Sequence, residues 1–178
     1  FDTSYFTPPK IIKEYKNFIK IGLVGRVSKE KNFSQIVRVL PFLNENIEIN
    51  IIGSKGNSYD ELLSLVQESN LSNRVTIQEA TNDIKSFYHS IDICLITSSL
   101  EGCPNVLFES LLCGNLNIIN INANTDNFIV DGYSGLVYDG SDNDLIKKIN
   151  YFRQIYINKE HYNIINNGLD YCRSNFSI

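Results

Sequence analysis

The segment Ile91–Ile121, IDICLITSSLEGCPNVLFESLLCGNLNIINI, gives the clearest indication of the fold of this chain. It begins with an almost unbroken apolar run, which predicts a buried strand over Ile91–Thr97. A helix is predicted over Pro104–Cys113, because proline stands in its first turn and Gly114 follows its last. A second apolar run predicts another strand over Leu116–Ile121. Two buried strands joined through a helix are typical of a parallel sheet.

The same alternation of apolar runs and helical patterns continues along the rest of the chain. Further strands are predicted over Ile19–Val27, Ile47–Gly53, Arg74–Glu79 and Gly135–Tyr138. Further helices are predicted over Asn32–Leu43, Ser58–Asn70 with Ser58 as its N-cap, Ile84–Ser90, Asp142–Tyr156 and Lys159–Cys172. We therefore predict an α/β fold, a Rossmann-like doubly wound parallel sheet of about six strands with helices on both faces. Residues 1–18 are predicted to form a linker or leading segment, and residues 19–178 one domain.

Length and composition limit the possible functions. The 178 residues carry 16 basic and 20 acidic side chains, and the net charge of −4 argues against nucleic-acid binding through bulk charge. No apolar run reaches the roughly 18 residues that a membrane-spanning helix needs. Four cysteines without a CxxC pair and only two histidines argue against a zinc site and for a reducing, cytoplasmic compartment. The chain contains no Met and opens on FDTSYFTPPK, which predicts a piece of a longer protein.

The first strand-to-helix loop, Gly25–Asn32, concentrates positive charge in an acidic chain. Arg26, Lys29 and Lys31 against Glu30 give this loop a local charge of +2. Arginine grips phosphate oxygens in a fork, lysine adds a compact charge, and the start of a helix also favours anions. A phosphate site is one interpretation, and a solvated turn is the other. The loop fits neither the GxGxxG nor the GxxxxGK[ST] phosphate motif.

The fourth loop, Ser98–Gly114, places two glutamates near the end of its strand. Glu101 follows the strand directly, and Glu109, inside the next helix, is the only charged residue of the stretch 102–125. An isolated carboxylate among Leu, Val and Phe is costly unless it is paired or faces a cleft. Glu109 is therefore either the partner of a buried cation such as Arg26 or a cleft carboxylate that accepts hydrogen bonds from ligand hydroxyls.

These loops together resemble a known family. The motifs that carry the resemblance are Gly25-Arg26, Lys31, Glu101-Gly102-x-Pro104 and the E-x7-E pattern that Glu109 closes. They resemble those of the retaining glycosyltransferases of family 4, the glycosyl transferases group 1, which have the GT-B fold. The segment Ile129–Asp139 is similar to the family's segment near the end of the donor domain, and the resemblance covers residues 19–151. It implies that residues 19–178 are the C-terminal, nucleotide-sugar-binding half of such an enzyme.

The resemblance also implies a role for each matching residue. Arg26 and Lys31 hold the pyrophosphate of the donor, and Glu109 accepts hydrogen bonds from both ribose hydroxyls. Glu101 contacts hydroxyls of the transferred sugar and is the residue assigned to catalysis. The remaining substrate-binding positions are Gly25, Gly102, Thr81 beside the base, and Asn105, Val106 and Leu107, whose backbone amides meet the distal phosphate.

The ionisation of Glu109 follows from this role. We expect the side chain to be partly buried, with its acceptor positions left open by the protein. Burial disfavours a charged carboxylate, whereas Arg26, Lys31 and the start of the helix favour it. We expect the positive groups to prevail, because ligand hydroxyls need a charged acceptor.

The implied function is transfer of a hexose from a nucleotide diphosphate sugar to a glycan or lipid-linked acceptor, with retention, in surface polysaccharide or lipopolysaccharide biosynthesis. No metal or other cofactor is implied, since Arg, Lys and the helix start neutralise the leaving diphosphate. The implied partners are the nucleotide diphosphate sugar, the acceptor and an N-terminal GT-B domain missing from this chain. That domain would contact the inner face of the membrane, and without it the chain is expected to be inactive.

Two alternatives to a transferase domain stay open. The chain could be a non-catalytic nucleotide-sugar-binding module, or one chain of a two-chain transferase. A phosphoacceptor receiver domain is disfavoured, because Gly25-Arg26 stands where such a domain needs an acidic pair. The sequence departs from the family at Cys103, where an aromatic residue is common, and at Ala123–Asn127, which replaces a Gly-Gly-x-Pro-Glu segment near the acceptor side.

Overall fold

A computed structural model of the chain describes residues 4–9, 18–99 and 105–176. Its centre is a single parallel sheet in the order β3-β2-β1-β4-β5-β6. The strands are β1 Ile19–Val24, β2 Ile47–Ile52, β3 Val75–Gln78, β4 Ile93–Ile96, β5 Leu116–Asn120 and β6 Leu136–Tyr138. The predicted Rossmann-like α/β fold is confirmed. Each observed strand lies within the predicted one and is shorter by one to three residues, which belong to the flanking turns.

Helices connect the strands in the predicted alternation. They are α1 Ser34–Val39, α2 Tyr59–Glu68, α3 Ile84–Ser90, α4 Asn105–Leu112, α5 Asp142–Ile157 and α6 His161–Phe176. The single helix predicted over Asn32–Leu43 instead ends as a 3-10 turn over Leu40–Phe42, since Pro41 lacks the N–H that an α-helix would use. Ser58 precedes α2 as predicted, but its side chain makes no capping hydrogen bond.

The helices form two apolar cores, one on each face of the sheet. Residues of α1, α2 and α5 pack on one face, and residues of α3 and α4 on the other, while α6 contributes to both. Alternate residues of β4 point to opposite faces, so Ile93 and Leu95 join the first core and Cys94 and Ile96 join the second. Burial on both faces explains why this strand has almost no polar residue.

The order of the strands reverses between β1 and β4. Ile21 of β1 pairs with Ile93 of β4 on one side and with Ile49 of β2 on the other. Connections from the two strands therefore leave the sheet on opposite faces and open a crevice at their carboxyl ends, where sheets of this type bind ligands. The loops after β1, β2 and β4 meet at this edge.

The rest of the described chain carries few other features of functional interest. No helix within residues 4–9, 18–99 and 105–176 is long and apolar enough to cross a membrane. The same residues contain no group of three or more His, Cys, Asp or Glu side chains placed to hold a metal ion. Cys94, Cys113 and Cys172 are buried as small core residues and form no disulfide within the described part of the chain. Within the predicted leading segment, Phe6 is buried in the core that contains α3 and α4.

Candidate functional site

The loop after β1 is fastened to the loops on both sides of it. On the β2 side, the amide of Val27 donates to the carbonyl of Ser54 over 3.0 Å, and the amide of Lys29 donates to Oδ1 of Asn57 over 3.2 Å. On the β4 side, Oγ1 of Thr97 donates to the carbonyl of Lys31 over 2.6 Å. These bonds hold the cation-rich loop in one position at the switch between β1 and β4.

Glycines allow the loops after β1 and β2 to approach each other closely. Gly25 has a φ of +137°, which favours glycine, and its amide donates to the carbonyl of Ile52 over 3.0 Å. A Cβ atom on Gly53 would overlap the carbonyl oxygen of Gly25, and one on Gly56 would overlap the carbonyl oxygen of Val27. The two loops therefore touch backbone to backbone at the carboxyl edge of the sheet.

The two predicted phosphate-binding cations lie on opposite sides of the end of β1. Arg26 is exposed, and its Cγ lies 2.9 Å from the position of a Cβ on Gly56, beside the β2 loop. Lys31 is half-buried and lies on the β4 side, where it lines a small pocket together with Thr97 and Val106. The structure thus brings Lys31 and the start of α4 to one pocket, whereas Arg26 lies beside the β2 loop.

Glu30 is the acidic member of this loop, and its own surroundings keep it ionised. A hydrogen bond from the Ser28 side chain, followed by a backbone amide, holds the pKa of Glu30 below its usual range, and the charges of Arg26 and Lys29 act in the same direction. The loop therefore presents a fixed mixture of charges with a positive excess.

One stripe of α4 faces away from the core. Asn105, Val106 and Glu109 are exposed or half-buried, whereas the other residues of this helix are buried. The spacing of these three positions places them on one face of the helix. Leu107 is fully buried, so the role predicted for it falls to its backbone amide alone.

Glu109 is half-buried, and its carboxylate accepts a hydrogen bond from the hydroxyl of Tyr88 at 2.8 Å. Burial raises the pKa of Glu109, and the bond from Tyr88 opposes this rise. The expectation that Arg26 and Lys31 would prevail over burial is wrong, because burial is the largest influence on this pKa. One of the acceptor positions predicted to be open is filled by Tyr88.

The alternative interpretation of Glu109 is also not what the structure shows. Arg26 is exposed, so it is not a buried partner. Within the described residues, Glu109 forms no ion pair. Its carboxylate therefore keeps acceptor capacity on the outward stripe of α4.

Thr81 lies apart from these residues. It follows β3, the edge strand, which β2 separates from β1, and its side chain is exposed. Its Oγ1 accepts a hydrogen bond from the amide of Asp83 over 3.2 Å, next to the start of α3. The structure does not bring Thr81 into the pocket of Lys31 and Val106, although it lies along the same edge of the sheet.

Two predicted site residues, Glu101 and Gly102, lie outside the described residues, as do Cys103 and Pro104. Sequence reasoning missed Tyr88, because nothing local to α3 relates it to Glu109, 21 residues further along the chain. It also missed the close approach of Gly53 to the loop after β1. The position of Gly53 at the end of a predicted strand could have indicated this, because glycine there often marks a place where another backbone comes close.

A larger groove lies at the opposite edge of the sheet. It has a volume of about 300 Å³ and a mostly apolar lining that includes Pro8, Gly114, Tyr156 and Leu169. Asp92 is its acidic residue, and the described part of its lining contains no Lys or Arg. Because it lies at the amino ends of β4 and β5, away from the charged loops, it is not the site that those loops define.

The strand order and the position of the charged loops define a Rossmann-like α/β domain with its candidate site at the switch between β1 and β4. Residues 7–169 match the family model described as glycosyl transferases group 1. The chain belongs to this family, and its fold is that of the C-terminal domain of GT-B glycosyltransferases. The predicted resemblance is thereby confirmed.

Individual relatives agree with this assignment. The chain is 34% identical over 90 residues to the N-acetylgalactosamine-N,N'-diacetylbacillosaminyl-diphospho-undecaprenol 4-alpha-N-acetylgalactosaminyltransferase of Campylobacter jejuni, a match that spans 51% of this chain and 24% of that enzyme. The C-terminal domain of a group 1 glycosyl transferase (LpcC) from Francisella tularensis has the same fold, with a TM-score of 0.84, 21% identity and coverage of 100% of this chain and 99% of that one.

Longer glycosyltransferases contain this fold as one part. HepE of Anabaena, solved in complex with UDP and glucose, aligns with a TM-score of 0.83 and 20% identity over 90% of this chain and 45% of its own. A glycosyltransferase from Rickettsia africae aligns with a TM-score of 0.87 and 18% identity over 99% of this chain and 51% of its own. The chain therefore spans about half the length of these two proteins.

Proposed function

We propose that this chain is the donor-binding domain of a glycosyltransferase that takes a sugar from a nucleotide diphosphate sugar. The observation that carries the proposal is that Lys31 and Val106, at the start of α4, line one pocket at the switch between β1 and β4. Cations suit a diphosphate there, and the carboxylate of Glu109 suits the hydroxyls of a ribose.

The relatives support a nucleotide sugar as ligand. HepE is described in complexes with UDP and with UDP-glucose, and it shares this fold over 90% of the chain. The Campylobacter jejuni relative is named for transfer of N-acetylgalactosamine to a diphospho-undecaprenol-linked sugar. We propose by analogy a lipid-linked glycan acceptor, a hexosyl donor, retention at the anomeric carbon and a place in surface polysaccharide or lipopolysaccharide biosynthesis.

The proposal gives each candidate residue a role. Arg26 and Lys31 approach the diphosphate from the two sides of the end of β1, and the start of α4 at Asn105 and Val106 offers backbone amides to the distal phosphate. Thr81, further along the same edge, would lie beside the base. Glu101 remains the residue predicted to contact the transferred sugar.

The compartment and the cofactor requirement are part of the proposal. A lipid-linked acceptor and a nucleotide sugar meet at the cytoplasmic, inner face of a membrane, where we place the whole enzyme. The two cations and the helix start supply positive charge for the departing diphosphate, so we propose that no metal or other cofactor takes part. Addition of EDTA should then leave donor binding unchanged, and a lost signal would contradict this point.

A thermal-shift panel tests the ligand class. UDP-, GDP- and ADP-sugars are compared with a CMP-sugar, which carries one phosphate and serves as the control. A ligand that binds only the folded state at 100 times its Kd adds about 2.7 kcal/mol of stability. We expect one of the diphosphate sugars to raise the melting temperature more than the CMP-sugar. The absence of a shift with every diphosphate sugar would contradict the proposal.

A transfer assay separates an enzyme domain from a non-catalytic module. A GT-B site closes between two domains, and binding from one side forfeits the contacts that orient and desolvate the donor. We expect the 178-residue chain alone to bind donor weakly and to transfer no sugar, whereas the full-length protein transfers. Donor binding without transfer by the full-length protein, over a range of lipid-linked acceptors, would favour the module.

A further inference from the structure

Tyr88 is a fully buried residue with a polar end directed at the candidate site. Its ring packs edge-on against Phe6 and Phe87, with ring centroids 6.1 and 6.2 Å apart. Its backbone carbonyl accepts a hydrogen bond from Nδ2 of Asn115 over 2.9 Å. The residue is thus held along its whole length, and only its hydroxyl reaches Glu109, at 2.8 Å.

The two described side chains that face Glu109, those of Tyr88 and Cys94, are neutral near pH 7. Tyr88 of α3 and Cys94 of β4 face it, with Cys113 close to both, and burial raises the pKa of Tyr88 and takes that of Cys94 to about 12. The other elements packed against α4, which are β5 and α6, bring no charged side chain of the described residues close enough to shift the pKa of Glu109. The hydrogen bond from Tyr88 is therefore the main contact within the described structure that favours the carboxylate form.

A carboxylate that must receive two hydroxyls has to be both charged and oriented. Each of its oxygens accepts about two hydrogen bonds, so one bond to Tyr88 still leaves positions for a ligand. A free glutamate side chain would lose rotamer freedom when a ligand binds, and this loss weakens binding. A donor fixed in the core removes part of that cost before the ligand arrives.

We propose that Tyr88 is a positioning residue for nucleotide binding, whose hydroxyl orients the Glu109 carboxylate toward the two hydroxyls of the ribose and keeps it in the charged, accepting form. This inference rests on the proposed function, because it assumes that a ribonucleotide binds at this edge of the sheet. It assigns a task to a buried side chain that does not itself touch the ligand.

The test is the pH dependence of the preference for ribose. UDP, GDP and ADP and their 2′-deoxy counterparts are titrated by calorimetry into the full-length protein between pH 4.5 and 8, and the pair that binds is followed. In the unmutated protein, the ratio of ribo to deoxy affinity should fall in acid, as Glu109 takes up a proton. Glu109→Gln should abolish this step.

Tyr88→Phe removes only the hydroxyl. A hydrogen bond to a charged group stabilises the charged form by enough free energy to shift a pKa by about one unit or more. Because Tyr88→Phe removes this bond from the carboxylate, we expect the midpoint of the acid step to move to higher pH by that amount. The affinity ratio at neutral pH should also fall. Tyr138→Phe is the matched control, because Tyr138 is equally buried and its hydroxyl donates to Oε1 of Gln35 over 2.8 Å on the other face of the sheet. This control should leave the midpoint in place, whatever it does to stability.

A second variant covers the case in which Tyr88→Phe does not fold. Site-specific 3-fluorotyrosine at position 88 keeps the shape and makes the phenol a stronger donor, so the midpoint should move to lower pH. An unmoved midpoint in both variants, or an equal shift in Tyr138→Phe, overturns the positioning role. Failure of the proposed function would give a different result. In that case no nucleoside diphosphate would bind the unmutated protein, or the ratio of ribo to deoxy affinity would still fall in acid in Glu109→Gln.

Discussion

A Cβ atom on Gly53 would overlap the carbonyl oxygen of Gly25, so the loops after β1 and β2 are in backbone contact. The amide of Gly25 also donates to the carbonyl of Ile52, the residue before Gly53. This contact fixes the position of the loop after β1 relative to the sheet. It thereby also fixes the backbone positions of Arg26 and Lys31, which belong to this loop.

Gly53→Ala is therefore expected to damage both folding and binding. The clash is with backbone, which no side-chain rotation can relieve, and overpacking of this kind costs about 1–3 kcal/mol or more. Gly132→Ala is the control, because Gly132 has a φ of +73° but open space around its Cβ position, and strain alone costs about 1–2 kcal/mol there. Denaturation curves and diphosphate titrations measure both effects. Wild-type stability and affinity in Gly53→Ala would show that the loops can separate freely.

Arg26→Ala and Lys31→Ala should weaken nucleoside diphosphate binding far more than nucleoside binding. Each removes a charge-assisted contact worth about 1.5–3 kcal/mol, or roughly 10- to 100-fold in affinity. Lys29→Ala is the matched control, since it removes an equal charge from the same loop, where Lys29 is exposed beside Glu61 in a different groove. Calorimetric titration of each variant with the nucleoside diphosphate and with the nucleoside measures the two losses of affinity. An equal loss for nucleoside and diphosphate would mean that Arg26 and Lys31 do not contact phosphate.

Glu109→Gln should change stability in a way that depends on pH. Burial raises the pKa of Glu109 above its ordinary value of 4.5, so the stability it contributes is present below that pH and is lost as pH rises through the folded-state pKa. The free energy of unfolding of the Gln variant should therefore rise relative to that of the wild type as pH rises above 4.5 through the folded-state pKa. Exposed Glu68→Gln controls for the loss of a surface charge. Denaturation at several pH values measures the difference, and a Gln variant that weakens with pH would indicate a cation paired with Glu109.

His161 should make the fold sensitive to acid. It is buried between Tyr156 and Tyr162, and burial lowers its pKa below the ordinary 6.5, although the Ile155 carbonyl acts against this. The unfolded chain then binds the proton first, so the free energy of unfolding should fall as pH drops below 6.5 through the folded-state pKa.

The variant His161→Phe keeps an aromatic ring and should lose this part of the acid sensitivity. His89→Gln, which alters the only other histidine of the chain, is the control. Unfolding curves between pH 5 and 8 measure the slopes. An identical slope in His161→Phe and the unmutated protein would contradict the prediction.

The alternation of strands and helices and the parallel type of the sheet could be predicted from the amino-acid sequence alone. An apolar run such as that of β4 is encoded locally, because burial on both faces excludes polar residues whatever the partners are. The turn residues at Gly25 and Gly114, both with positive φ, are also local requirements. The sequence also shows that Glu109 stands alone in a long uncharged stretch. Because an isolated carboxylate among apolar side chains is costly to bury, this pattern alone marks Glu109 as a candidate functional residue.

The surroundings of these residues, in contrast, depend on how distant parts of the chain pack together. The partner of Glu109 is Tyr88, on a different helix, and the pocket of Lys31 and Val106 joins loops from two strands that are far apart in sequence. The upward shift of the pKa of Glu109 could likewise be seen only in the structure. Desolvation depends on how many atoms pack around the carboxyl group and not on which charges are near in sequence. Periodicity and turn chemistry are properties of neighbouring residues, whereas burial and hydrogen-bond geometry arise only when distant elements pack together.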